Sequence, residues 1–485
     1  MRRPSQWPYK WIVAAVFVIG LFMDILDTTI VNVTIPQLAK DFHATGGSIE
    51  WVVTGYLLSL ALWIPASGWI GDRFGTKRTF LFALTVFTFS SALCAVAWNL
   101  TSLIGFRVLQ GVGGGMLTPV GTAMLFRAFP PQERAAASTV LTIPTVLAPA
   151  TGPVLGGFLV TKVSWHWIFL VNIPIGIVGL IFGSKYLKEH KEGSTKSFDA
   201  PGFVLSGAGL ALVLYALSEG PRVGWASWQA AGTAVAGVAA LSAMVWWELR
   251  IPNPILELRL LKNRLFRSAN LASFMSSGGL LGLLFLLPLF LQTLRGLSAL
   301  DSGLTTFPQA IGVILASRFV GKLYQRVGPR RLLAVGLGGV AMASALFLLV
   351  DLDTSLWWIR AIMFLRGLFF ACSIISLQAA SFATISPADT GRASSLFSTI
   401  RQVGAAFGVA LLATVLSTRT STRVGAASGE LAIRAAQVSA YHDAFLGSVI
   451  IAMLGMLCAL SIRDADAAIT MKPRSASTPV PEPAH

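Results

Sequence analysis

Apolar residues run along this chain for some twenty positions at a stretch, broken by short gaps where Arg, Lys, Gly and Pro collect. A helix crossing the hydrocarbon of a bilayer needs about 20 such residues, and only a helix or a closed barrel satisfies its backbone there. On that criterion the pattern predicts about fourteen transmembrane helices. They fall at 11–36, 49–70, 79–97, 102–126, 135–160, 165–187, 203–218, 228–247, 265–294, 300–323, 331–350, 356–380, 394–417 and 443–462. The basic N-terminus with its apolar run superficially resembles a secretory signal. The run is too long for one, contains two Asp and is followed by more of its kind, so it reads as a retained first span.

Composition agrees. Of 485 residues 54% are hydrophobic and 12% charged, against about a quarter charged in soluble domains, and the mean hydropathy is +0.71. A formal charge of +16 could suggest nucleic acid, but the basic residues fall in gaps between spans rather than on one polar face. Alternate gaps hold most of them. The others hold only Lys40, Lys162, Arg222, Arg295, Arg419, Arg423 and Arg434. The positive-inside rule then puts both termini in the cytoplasm of an integral plasma (inner) membrane protein. Cys94, Cys372 and Cys458 lack paired spacing and the five histidines lack ligand spacing, so neither a disulfide framework nor a metal site is expected.

The gaps carry a weak repeat. Gly71-Asp72-Arg73-Phe74-Gly75-Thr76-Lys77-Arg78 follows the second span, and the segment from Gly321 through Gly328-Pro329-Arg330-Arg331 follows the tenth. If the seventh and eighth spans are an insertion, these turns hold equivalent places in two six-helix halves, a common transporter plan. The expected organisation is a six-helix half over 1–190, two additional helices with linkers over 191–262, a second six-helix half over 263–462, and a disordered Pro/Ser/Ala-rich tail over 463–485.

Of 21 acidic residues, only Asp24 and Asp27 fall well inside a span. A carboxylate at membrane depth is expensive and marks a candidate functional site. Their i, i+3 spacing puts both on one face, able to meet one cavity. Arg107, in the middle of the fourth span, is the matching cation; a buried Arg stays charged and needs a partner, so it is expected to face Asp27. A static Arg–Asp strut is the alternative to proton coupling. Pro149 and Pro153 with Gly152, Gly156 and Gly157 suit a bent, closely packed fifth helix. Asp72 with Arg73, Lys77 and Arg78 suits a cluster that pairs with a helix terminus in one conformation and releases it in another; plain positive-inside topology explains Lys77 and Arg78 equally. Asn32, Gln110, Arg366 and Arg401 are candidate cavity residues.

Five segments resemble the major facilitator superfamily, in particular its fourteen-helix drug:proton antiporter branch of EmrB/QacA type. They are Leu26-Asp27-Thr28-Thr29-Ile30-Val31-Asn32-Val33; Gly68 to Arg78; Phe106-Arg107-Val108-Leu109-Gln110-Gly111; Ala148-Pro149-Ala150-Thr151-Gly152-Pro153-Val154-Leu155-Gly156-Gly157; and Trp165-His166-Trp167-Ile168-Phe169-Leu170-Val171-Asn172-Ile173-Pro174. The resemblance implies an all-α polytopic major facilitator fold, two pseudo-symmetric six-helix halves plus two helices. It links Arg107 to proton transfer, makes the 148–157 segment an antiporter motif, and makes the Gly68, Asp72, Arg73, Gly75, Lys77, Arg78 turn a gate stabilising the outward-facing state.

The expected activity is proton-coupled efflux of amphipathic or lipophilic compounds by alternating access. A dedicated exporter of one metabolite, siderophore or lipid is the alternative, and a non-transporting sensor or scaffold a third reading that the embedded charges disfavour. No phosphate-binding GxxxxGK[ST] loop or nucleophile constellation points to an enzyme. The chain is expected to use no cofactor beyond the proton motive force. Its expected partners are small-molecule substrates, protons and the lipid bilayer, with no nucleic acid; a monomer is expected, with a periplasmic adaptor subunit left open.

Overall fold

The apolar runs become helices, most of them one helix each. The computed structural model describes residues 7–44, 46–191, 197–425 and 428–471, so the expected tail beyond 471 and the basic residues Arg2, Arg3, Lys196, Lys472 and Arg474 lie outside the described residues. The long helices are α1 (Tyr9–Asp41), α2 (Trp51–Phe74), α3 (Thr76–Ala95), α4 (Leu100–Ala128), α5 (Arg134–Lys162), α6 (Asn172–Tyr186), α7 (Ala200–Val223) and α8 (Trp228–Glu248). They continue as α9 (Arg264–Thr293), α10 (Pro308–Val327), α11 (Pro329–Ala345), α12 (Leu356–Phe382), α13 (Thr390–Gly425) and α14 (Glu430–Leu460). Among the described residues 13 helices are long and apolar enough to cross a membrane. The other long one, α4, has 29 residues, several of them glycine, and packs along α1, α2 and α3.

The packing repeats with a period of eight helices. In the first half α1 packs on α4, α5 and α6, α2 on α4, and α3 on α4 and α6. In the second half α9 packs on α12, α13 and α14, α10 on α12, and α11 on α12 and α14. The halves meet through equivalent helices: α5 lies against α10 and α12, while α13 lies against α2 and α4. The α7–α8 pair packs on the outside of this seam, α7 touching both α2 and α13.

Several expectations need correction. The sixth span is not one helix: Trp167–Leu170 is separated from α6 at Val171. The tenth is likewise preceded by a short helix, Ala299–Thr306, because Pro308 cannot extend it backwards. The last two helices run further toward their connection than hydropathy suggests, so Arg419, Arg423 and Arg434 are helical; Arg419 and Arg423 pair with Asp443 of α14.

Residues 463–471, expected to be disordered, form a 3-10 turn (Asp464–Thr470). Tyr324 Oη and Thr470 Oγ1 lie 3.0 Å apart, and Asp464 Oδ1 accepts the N–H of Arg330 at 2.9 Å. The reason is a cap. Gly328 precedes α11 at φ +90°, a conformation that glycine adopts freely, and its open side receives the Asp464 carboxylate. The first half repeats the device: Gly75 at φ +98° precedes α3, and the Glu189 carboxylate accepts the N–H groups of Lys77 and Arg78 at 3.0 and 3.2 Å. Acid at a helix N-terminus satisfies orphan donors and the helix dipole. Glu189→Ala and Asp464→Ala should each cost about 1 kcal/mol, read as matched falls in Tm of the purified protein.

Candidate functional site

The two carboxylates of α1 point to different partners. Asp27 is fully buried inside the first half. Its Oδ2 accepts from Arg107 Nη1 at 2.5 Å, and its Oδ1 accepts from Gln110 Nε2 at 2.9 Å and Asn172 Nδ2 at 3.0 Å. Arg107, equally buried, also donates to Val52 O at 3.1 Å and Gln110 Oε1 at 2.7 Å. Asn172 Nδ2 lies 3.0 Å from Ser91 Oγ, which donates to Phe169 O at 2.9 Å. The break at Val171 matters here, because it starts α6 at Asn172 and delivers that amide to the carboxylate.

Asp24 is 7% exposed. It accepts from Tyr56 Oη at 2.5 Å and Thr118 Oγ1 at 3.3 Å. The Tyr56 ring lies 4.1 Å under the Arg107 guanidinium, within the range of a cation–π contact. Asp24 and Asp27 therefore do not share one cavity, as their spacing suggests; they sit at the two ends of the chain Asp24–Tyr56–Arg107–Asp27. Glycine in α4 makes this approach: a Cβ on Gly111 would lie 2.7 Å from Tyr56 O, and one on Gly114 2.7 Å from Tyr56 Oη.

The four candidate cavity residues separate. Gln110 is a partner of Asp27. Asn32 is exposed. Arg366 is buried within the second half, donating to Gln309 Oε1 at 2.8 Å, Ser344 Oγ at 3.3 Å and Gly279 O at 3.1 Å, all neutral acceptors. Arg401 of α13 lines a cavity of about 50 Å³ between the halves, with Thr145 of α5, Ser273 and Ser276 of α9, and Phe370 and Gln378 of α12. A smaller space, walled by Leu21, Thr118, Thr122 and Ser398, shares Thr145, Gln378 and Arg401 with it.

At the end of the bundle that carries the basic turns the halves are closed on each other. Ser394 Oγ donates to Pro119 O at 2.6 Å, Ser395 Oγ to Ile64 O at 2.6 Å and Pro65 O at 2.9 Å, and Arg127 Nε to Pro387 O at 3.0 Å. Phe126 stacks on Phe382 with ring centroids 4.3 Å apart. Gly68 and Asp72 face the start of α13: a Cβ on Gly68 would lie 3.0 Å from Gly391 O, and one on Gly391 2.8 Å from Asp72 Oδ1. Asp72 also takes Arg127 at 3.0 Å. Lys77 and Arg78 stay within their own half, on Glu189 and Ser184 O, and Arg73 is exposed on the last turn of α2. In α5, Gly152 packs on Thr29 of α1, where a Cβ would clash at 2.3 Å. Gly156 is buried, whereas a Cβ on Gly157 would meet nothing within 4 Å. Pro149 and Pro153 lie in the same helix, which also touches α10 and α12 of the other half.

Sequence reasoning alone missed Tyr56, Asn172 as a ligand of Asp27, Ser91 and Gln378. Isolated hydroxyls and amides are ordinary in membrane helices; the signal available was the glycine run of α4, which marks where α2 comes close.

A family model described as Major Facilitator Superfamily matches residues 17–409. A "Multidrug resistance protein B homolog" of Mycobacterium tuberculosis is 37% identical over 417 residues, 83% of this chain and 76% of that one. A "Putative multidrug resistance protein MdtD" of Serratia proteamaculans is 36% identical over 406 residues, 84% of each chain. Among solved structures, the human organic anion transporter MFSD10 (TETRAN) matches with a TM-score of 0.66 and 18% identity, over 94% of this chain and 100% of that one. The proton:xylose symporter XylE matches at 0.62 and 14%, over 93% and 94%.

Proposed function

The chain belongs to the major facilitator superfamily, and on that premise we propose that it is a proton-coupled multidrug efflux transporter, exporting amphipathic or lipophilic compounds by alternating access. Relatives named multidrug resistance proteins support the export of drugs. One observation carries the proton coupling. Asp27 is a dry carboxylate whose partners are a single guanidinium and two amides, so any change in the Arg107 contact changes its hold on a proton.

The second carboxylate, Asp24, lies behind Thr118 beside the cavity between the halves. Protons enter from outside toward these acids, and substrate leaves in exchange. No cofactor is needed beyond the proton motive force. The protein is integral to the plasma membrane, with the basic end, and so both termini, in the cytoplasm. It works as a monomer; a periplasmic adaptor subunit is a matter for co-purification.

The test is transport in proteoliposomes under an imposed pH gradient. Wild-type protein should move a lipophilic dye in response to the gradient, Asp27→Asn should lose that response, and Asp24→Asn should retain it at a reduced rate. Wild-type movement that ignores the gradient eliminates proton antiport. Resistance of cells to many unrelated dyes and antibiotics separates multidrug export from a dedicated exporter.

A further inference from the structure

The cavity between the halves holds a charge that the coupling site does not use. Arg401 projects from α13, and among the described residues it forms no ion pair or hydrogen bond. Asp24, behind Thr118, is already engaged by Tyr56 and Thr118. A guanidinium stays charged at any physiological pH. Held among apolar walls such as Phe370, Phe397 and Leu280, it is costly without a counter-ion.

Beside it is a second unsatisfied group. Gln378 of α12 is 5% exposed and lines both spaces, and its Oε1 accepts no hydrogen bond from the described residues. Buried amides are normally satisfied, so an orphan acceptor next to an unpaired cation is a site awaiting a ligand. Arg366, a buried cation of this half, contrasts with it, since its guanidinium is spent on Gln309, Ser344 and Gly279.

We infer that Arg401 and Gln378 form an anchoring subsite for substrates with an acidic group. The carboxylate, sulfonate or phenolate of an amphiphile would accept from the Arg401 guanidinium, and Gln378 Oε1 would accept from a neighbouring N–H or O–H of the same molecule. The hydroxyls of Thr145, Ser273 and Ser276 would complete a polar floor, with the apolar body against Phe370 and Phe397. Fork geometry favours planar anions, and the same charge repels purely cationic compounds, so the subsite selects in both directions. This inference rests on the export reading, but equilibrium binding judges it separately.

The experiment uses two probes on one fluorescent aromatic scaffold, a free carboxylate and its methyl ester, titrated against the full-length protein in detergent. Wild-type protein should bind the carboxylate roughly ten- to hundredfold more tightly than the ester, the worth of a charge-assisted hydrogen bond. Arg401→Gln should collapse that ratio to about twofold while leaving ester affinity in place, which also shows that the variant is folded. Arg401→Lys, a point charge in place of a fork, should retain part of the preference. Asp24→Asn should keep it. Equal binding of the two probes by wild-type protein overturns the inference, as does a preference that survives Arg401→Gln. A preference lost in Asp24→Asn also overturns it, because Arg401 would then act on Asp24 and not on the ligand. Ester transport driven by a pH gradient without any carboxylate preference defeats the subsite alone; a carboxylate preference without gradient-driven transport of either probe defeats the export reading alone.

Discussion

Arg107→Gln is expected to destabilise the protein by about 3–5 kcal/mol, the cost of leaving one member of a buried ion pair without its partner, and to abolish gradient-driven export. The expectation follows from the surroundings of Asp27. With Arg107 gone the carboxylate keeps only Gln110 and Asn172 as donors, in a site closed to water. Tyr56 loses the cation above its ring, and Val52 O loses the Arg107 donor. The double variant Asp27→Asn with Arg107→Gln removes both charges at once. The large cost of a single substitution comes from the uncompensated charge it leaves buried, and the double variant leaves none, so it should recover most of the lost Tm.

Recovery of stability without recovery of transport is the decisive pattern. If Arg107 and Asp27 were only a strut, restoring the packing would restore export, and a double variant that pumps at the wild-type rate would sink the coupling reading. Cycle analysis on Tm supplies the pairwise energy, and proteoliposome transport supplies the functional readout. The two measurements separate a structural pair from one that works.

The Asp27–Arg107 contact was legible in the sequence for a simple reason. Two acids embedded in the first apolar run and one base in the middle of the fourth have few other ways to settle their charge. The all-helical membrane fold was legible on similar grounds, from run length and from basic residues gathered in alternate gaps, although 13 of the described helices rather than fourteen meet the span criterion. The third member of the site was not. Tyr56 is one of 6 tyrosines, and nothing in its neighbourhood distinguishes a phenol that links the Asp24 carboxylate to the Arg107 guanidinium from one that packs.

Asp24 was misread for a related reason: i, i+3 spacing fixes a face, but a face of a helix in a bundle meets several neighbours, and Tyr56 and Arg107 stand between the two acids. Residues 464–470 form a turn that composition does not predict, because composition does not register that Gly328 opens a place for the Asp464 carboxylate. The parallel with Gly75 and Glu189 was the available clue. Arg366 shows the converse, an embedded cation without an acid that is satisfied by neutral acceptors.

Gly68→Leu should leave the protein folded yet reduce export at least tenfold by preventing closure of the basic end. The β-carbon alone would stand 3.0 Å from Gly391 O and 3.3 Å from the Ser395 side chain, and the first is backbone that cannot rotate away. Overpacking of this kind costs about 1–3 kcal/mol. The packing of α2 on α4 and of α13 on α9 lies within the halves and is not touched, so the cost falls on the closed state alone. A penalty confined to one of two states shifts their ratio by roughly ten- to hundredfold. Ser395 would then lose its bonds to Ile64 O and Pro65 O, and Asp72 its place at the start of α13. Spin labels at Gln132 and Gln325, which meet across the halves at this end, report the outcome in a background with Cys94, Cys372 and Cys458 replaced. The distance between them should lengthen in Gly68→Leu, and lengthen less in Asp72→Asn, where the steric wedge is absent and what is lost is the charge that meets the helix terminus and Arg127. Lost transport with an unchanged distance distribution would remove Gly68 from the gate.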